Sequence, residues 1–244
     1  MRTIRTYVDL PLSAGAELDL PAAAAEHLVR VLRLAVGNPV TLFNGDGHDY
    51  AATLLSVGRG ATHVRITAMQ VNAAESPFAL TLAQGLARGD KMDLVVQKAT
   101  ELGVTRVVPL VTERSEVRLD AARAAKRHEH WRAIAVSACE QCGRARVPEI
   151  LPATPLAAWL TALPDDGALR LALLPTATCS LRQLPAPAAG ALVVIGPEGG
   201  LGAQDIAALV DAGFTGLNLG PRILRTETAG LAALAALQAM HGDF

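Results

Sequence analysis

From Phe78 onward, apolar runs of strand length alternate with stretches of helical length, and this alternation limits the fold more than any other feature of the chain. The expected elements are strand Leu80–Leu86, helix Asp90–Leu102 stopped by Gly103, strand Val104–Val111 and a long helix from about Asp120 to Cys142. Strands Leu169–Leu174 and Ala191–Ile195, helix Ala203–Ala212, strand Phe214–Leu219 and helix Thr226–Met240 complete the series. Strands separated by helices build a parallel sheet covered on both faces, so its strands read as continuous apolar runs. Ala153–Asp166 and Pro185–Gly190, rich in Pro and Ala, read as loops between elements.

Residues 1–72 follow a different rule. Short alternating or β-branched runs, Thr6–Leu10, Val40–Phe43, Tyr50–Val57 and Thr62–Val71, are separated by turn signals such as Asn44-Gly45-Asp46-Gly47 and Gly58-Arg59-Gly60. One helix is expected from Pro21 to about Leu34, with Pro21 suited to a first helical position and Gly37 beyond the end. Several short strands point to a small β-barrel. Val71–Pro77 reads as the linker, giving an expected division into domains 1–72 and 73–244.

Composition narrows the function classes. At 51% hydrophobic and 18% charged residues the chain can bury a core, which excludes wholesale disorder. No run reaches the roughly 18–20 apolar residues of a membrane span, and Met1–Leu12 lacks the apolar core of a signal peptide. A soluble, cytoplasmic protein is expected. Cys139, Cys142 and Cys179 are an odd number and no disulfide framework. Cys139 and Cys142 form a lone CxxC without a second ligand pair, so no metal is expected. A redox motif would open a helix, whereas AVSACEQCGR reads as the end of one; two small helix residues fit better. The net charge of −1 gives no global hint of a polyanion, yet the window Arg114–Arg146 holds eight Lys/Arg against four Asp/Glu. Such a window either steers RNA or is a solvated helix face laced with opposite charges.

The chemistry-bearing motifs lie at strand ends. The buried run Leu192–Ile195 stops in Gly196-Pro197-Glu198-Gly199-Gly200, a loop that matches neither GxGxxG nor the phosphate loop. One βα unit later, Leu219-Gly220-Pro221-Arg222-Ile223-Leu224-Arg225 leads into a helix opened by Thr226. A third strand end is Leu173-Leu174-Pro175. Ligands of parallel sheets bind beyond the carboxyl ends of strands, and three such ends can wall one pocket, although each could equally be a tight turn.

The pattern as a whole resembles the SPOUT class of methyltransferases, and within it the RsmE family of ribosomal RNA uridine-N3 methyltransferases. The resemblance rests on Gln97–Val104, Thr112–Ser115, Glu140–Arg144, Ile195–Leu201 and Leu219–Ala229, and in the N-terminal part on His27-Leu28, Leu32-Arg33 and Gly45-Asp46-Gly47. It spans nearly the whole chain. It implies an α/β trefoil-knot methyltransferase domain preceded by a small PUA-like β-barrel that binds RNA. A knot is not something periodicity suggests, since threaded chains are rare.

The resemblance further implies that Leu174, Pro175, Ile195, Gly196, Pro197, Gly199, Gly200, Leu219, Gly220, Ile223, Leu224 and Thr228 line S-adenosylmethionine. Arg114, Arg118, Gln141, Arg144 and Arg146 would sit near RNA, with Arg30 and Arg33 on phosphates. The implied substrate is 16S ribosomal RNA, in the assembled 30S subunit, and the implied assembly is a homodimer. The last helix agrees with the latter, because no Asp, Glu, Lys or Arg stands between Glu227 and Asp243 and an all-round apolar helix must be covered. Uridine N3 must lose a proton to become a nucleophile, so the site needs a base or a stabilising cation. Glu198 is the candidate base, unless it only caps the next helix; Arg225 is the candidate cation, unless it binds phosphate. The alternatives are a non-catalytic RNA-binding protein, a SPOUT enzyme acting at another RNA position, and a different α/β enzyme holding a nucleotide at Gly196–Gly200.

Overall fold

The computed structural model of the chain describes residues 4–58, 61–117, 120–187 and 189–244. They form two compact units, 1–75 with 136–147, and 76–135 with 148–244.

The first unit is built on five strands: β1 (Arg5–Tyr7), β2 (Glu17–Asp19), β3 (Pro39–Phe43), β4 (His48–Val57) and β5 (Thr62–Val71). Their order is β1-β3-β4-β5-β2, with β1 parallel to β3 and the other pairs antiparallel. Among the described residues no ladder joins β1 to β2, so the expected barrel is a five-stranded mixed sheet whose hydrogen bonding does not close. The period-2 pattern is satisfied: Val40 and Leu42, Tyr50, Ala52 and Leu54, and Val64 and Ile66 all point into one core. Ala24 and Leu28, one helical turn apart, seal it. The single helix expected there is α1 (Ala22–Glu26) followed by a π-helical turn His27–Val31, and Pro21 stands one place earlier than expected, as the N-cap.

The second unit holds β6 (Leu80–Gly85), α2 (Lys91–Glu101), β7 (Arg106–Val111), most of α3 (Ala121–Cys142), β8 (Glu149–Ile150), β9 (Thr154–Pro155) and α4 (Leu156–Thr161). β10 (Leu169–Leu173), β11 (Cys179–Ser180), β12 (Ala191–Ile195), α5 (Ala203–Asp211), β13 (Thr215–Asn218) and α6 (Thr226–His241) follow. The strand order is β11-β13-β10-β12-β6-β7-β8, with β9 also on β7, and every pairing is parallel. One face of the sheet packs Ala83, Val108, Ala172 and Val194 against Leu156 and Trp159 of α4 and Leu209 of α5. α6 lies on β6, β12 and α2. β6 and β12 are the centre, and Leu82 and Val193 are fully buried; truncating such a leucine to alanine costs about 2–5 kcal/mol.

α4 falls in a stretch expected to be loop. A helix this short draws little on propensity and is held by tertiary packing, here Trp159 against Phe214 with ring centroids 6.0 Å apart. α6 buries Gly230, Ala233, Leu234 and Leu237 and leaves Met240 43% exposed. No helix among the described residues is long and apolar enough to cross a membrane. Cys139 and Cys142 close α3; Cys139 packs with Phe43 and Ala145, and burial pushes its thiol up to about 12, which leaves it unreactive.

Candidate active site at three adjacent strand ends

β13, β10 and β12 lie side by side, so their carboxyl ends open at one edge of the sheet. The exits are Leu174-Pro175 after β10, Gly196–Gly200 after β12 and Leu219–Arg225 after β13. The three strand ends singled out in the sequence are thus neighbours in space.

The β12 exit is a tight turn in which the Gly200 N–H donates to the Pro197 carbonyl at 2.9 Å. The turn folds back so closely that a Cβ on Gly196 would stand 2.7 Å from the backbone of Gly200 and Leu201. Gly200 and Gly220 have φ of +71° and +108°, conformations that L side chains rarely adopt, and each would direct a Cβ into open space. Ile195, Gly196 and Pro197 are buried, Leu174, Gly200, Leu219 and Leu224 half-buried, and Pro175, Gly199, Gly220, Ile223 and Thr228 exposed. Ile223 is 84% exposed.

Side chains tie these exits together. Asn218 donates through Nδ2 to the Pro175 carbonyl at 2.9 Å and accepts the Gly220 N–H on Oδ1 at 2.6 Å, linking the β10 and β13 exits. Thr226, the first residue of α6, donates through Oγ1 to the Gly196 carbonyl at 2.6 Å, linking α6 to the β12 exit. Neither residue was among the expected site residues, Thr226 being expected only to open the helix. For Asn218 a signal existed, since Asn-Leu-Gly is suited to an Asx turn; for Thr226 the partner is 30 residues away and no local signal exists.

Glu198 accepts from the Arg88 backbone N–H at 3.0 Å and from Lys91 Nζ at 2.9 Å. Burial pushes its carboxyl up, but the hydrogen bonds from Lys91, its own N–H and that of Arg88 outweigh this and hold it below the ordinary carboxylate range. The same contact raises Lys91, which also stands 3.6 Å from Glu227. Glu198 is thus engaged with Arg88 and Lys91. The cap of α5 is made by other side chains: Asp205 Oδ2 accepts the Gly202 N–H at 2.9 Å and Glu113 Oε2 the Gln204 N–H at 3.2 Å. Arg225 is exposed, is the N-cap residue of α6, and makes no side-chain hydrogen bond or ion pair among the described residues.

The residues expected near RNA divide. In the second unit, Arg114 Nη1 donates to the Gly199 carbonyl at 2.9 Å, which props the β12 exit, and Arg88 pairs with Glu116. Arg118 lies outside the described residues. In the first unit, Gln141 and Arg146 are exposed, Arg30 is exposed and paired with Glu26 at 2.8 Å, and Arg33 is exposed with φ of +57°. Arg144 is the exception. It is 4% exposed and its guanidinium donates twice to Glu75, so it is an internal ion pair and not a surface contact for RNA. A cleft lined by Gly167, Arg170, Pro185, Gly213 and Thr215 lies at the opposite, amino-terminal ends of β10 and β13.

Comparison with known proteins gives the geometry a context. A family profile described as RNA methyltransferase domain matches residues 74–238, and one described as RNA methyltransferase PUA domain matches residues 20–67. The chain is 31% identical to ribosomal RNA small subunit methyltransferase E of Buchnera aphidicola subsp. Schizaphis graminum, over 99% of this chain and 98% of that one. It is 39% identical to the crystal structure of ribosomal RNA small subunit methyltransferase E from Neisseria gonorrhoeae bound to S-adenosyl methionine, with a TM-score of 0.94 and full coverage of both chains. A Legionella pneumophila methyltransferase solved in complex with S-adenosylmethionine is likewise 39% identical, with a TM-score of 0.95 over the whole of both chains.

Proposed function

The chain belongs to the RsmE family of RNA methyltransferases, with a PUA-like N-terminal domain, and from that premise we propose that it methylates N3 of a uridine in 16S ribosomal RNA with S-adenosylmethionine as donor. The observation that carries this is the adjacency of the β10, β12 and β13 exits. Their glycine-rich backbone leaves open space at Gly200 and Gly220, as a ligand held by main-chain contacts requires.

The residues fit the cofactor. Leu174, Pro175, Ile195–Pro197, Gly199, Gly200, Leu219, Gly220, Ile223, Leu224 and Thr228 would hold it, with exposed Ile223 and half-buried Leu174 and Leu224 offering apolar contact and the exits offering amides and carbonyls. When bound, S-adenosylmethionine supplies a methyl group already activated by its sulfonium. What remains for the chain is to orient the acceptor and to manage the N3 proton. We assign Arg225 to stabilising the negative charge of the deprotonated uracil; it is exposed, unengaged among the described residues, and at the positive end of α6. Glu198 holds the β12 exit against Arg88 and Lys91 and is given no proton-transfer role.

RNA would be met by Arg30, Arg33, Gln141 and Arg146 of the PUA-like unit and by Arg114 and Arg118, with the uridine unstacked in the assembled 30S subunit. Two further features are proposed. The insertion of β12 between β10 and β6 is compatible with a trefoil knot, and the incompletely covered face of α6 with a homodimer interface. The protein would act in the cytoplasm, where small subunits are assembled.

The test is to incubate the protein with labelled S-adenosylmethionine and 30S subunits from a strain lacking its gene, then digest the RNA to nucleosides. Mass spectrometry is expected to find label in 3-methyluridine. Label on a ribose oxygen, or only on transfer RNA, would overturn the assignment.

A further inference from the structure

Gln84 is a polar side chain at the centre of the sheet, fully buried on β6 and in register with Ile195 of β12. Its Nε2 donates to the Gly85 carbonyl at 3.1 Å and to Thr226 Oγ1 at 2.8 Å. Thr226 passes its one hydroxyl proton to the Gly196 carbonyl at 2.6 Å. Proton counting fixes the arrangement. The Gly85 and Gly196 carbonyls can only accept, so the Thr226 oxygen must accept from Gln84; a flipped amide would set oxygen against oxygen at Gly85.

The arrangement leaves Gln84 Oε1 without a hydrogen-bond partner among the described residues. That oxygen faces α6, where a Cβ on Gly230 would stand 3.4 Å from it. A buried acceptor without a donor is costly, and a leucine of similar length would remove the cost. Packing therefore gives no reason for a glutamine here; what its Nε2 does is reason enough.

We propose that Gln84 and Thr226 are positioning residues for the cofactor site, forming a two-step relay that fixes the Gly196 carbonyl and the first turn of α6 before ligand arrives. This rests on the reading that these exits bind S-adenosylmethionine. Both side chains are buried and act through the Gly196 backbone, not on the reacting atoms. Thr226→Val removes the bond to Gly196 while keeping the shape, and Gln84→Leu leaves the hydroxyl unanchored.

The probe is S-adenosylmethionine, titrated by calorimetry into the full-length protein. Each variant is expected to bind it about tenfold more weakly, as one lost buried hydrogen bond implies. The double variant is expected to bind no more weakly than Thr226→Val, because both substitutions break one relay. Thr226→Ser keeps the hydroxyl and the wild-type affinity. A merely structural role would lower the melting temperature and the bound fraction and leave Kd unchanged in the molecules that fold; that result overturns the relay, as does full additivity in the double variant. If Gln84→Leu fails to fold, the contrast between Thr226→Val and Thr226→Ser decides alone. Absence of binding by wild type overturns the functional reading and the relay with it; normal binding by wild type and both variants overturns the relay only.

Discussion

Arg144→Ala separates a structural arginine from an RNA-binding one. Glu75 Oε2 takes Arg144 Nε at 3.1 Å and Nη2 at 3.0 Å, while Oε1 takes the N–H groups of Ala145 at 3.1 Å and Arg146 at 2.8 Å. The two side chains are 5% and 18% exposed, so water replaces little of what is lost. Removing one partner of a buried pair costs about 3–5 kcal/mol; the two backbone donors left on Glu75 place this case near 3. At roughly 2–4 °C per kcal/mol for a chain of this size, the protein should melt about 6–12 °C lower. The assay is circular dichroism melting together with binding to a 16S RNA fragment over a salt series. Below the transition the variant should bind RNA with the wild-type salt slope, because no phosphate contact is removed. An unchanged melting temperature with weaker RNA binding and a salt slope reduced by about one would refute the reasoning.

Three further outcomes follow from the geometry. Glu198→Gln keeps an acceptor for the Arg88 N–H, so kcat should fall by less than about tenfold in single-turnover methylation, whereas loss of a general base would cost about 10²–10⁴. Asn218→Ala removes the link between Pro175 and Gly220 and should raise the S-adenosylmethionine Kd about tenfold with no change in RNA affinity; equal cofactor affinity in the folded variant would contradict that. His63 on β5 is held above its ordinary 6.5 by Asp19 and then Glu17 on β2, so this contact is fully stabilising below 6.5 and is lost as pH rises through the raised value. Its NMR titration midpoint should exceed 6.5 and move back toward 6.5 in Asp19→Asn; a wild-type midpoint at or below 6.5 would contradict the contact.

The large elements were legible because their signals are local. Continuous apolar runs such as Ala191–Ile195 mark buried parallel strands, and the glycines after them mark the exits. β2, β8, β9 and β11 were not expected; each has two or three residues and exists only through a distant partner, as Glu17–Asp19 does through β5. Nothing in residues 136–142 marks them for the first unit, because they continue α3 unbroken from the second. The site was legible as loops and not as a network. Gln84, Thr226 and Gly196 are far apart in sequence, and a glutamine inside an apolar strand gives no sign of what it faces. Arg144 misled for the opposite reason, since arginines are mostly exposed and its partner Glu75 is 69 residues away.

The central claim is that the adjacent exits of β10, β12 and β13 hold the cofactor through their backbone. Amide hydrogen exchange, followed by mass spectrometry with and without S-adenosylmethionine, measures this directly. Added protection should appear in residues 174–177, 196–201 and 219–228, and the strands of the first unit, β3 to β5, should exchange as before. Protection confined to the cleft around Gly167, Arg170 and Gly213, or none at saturating cofactor, would contradict the account.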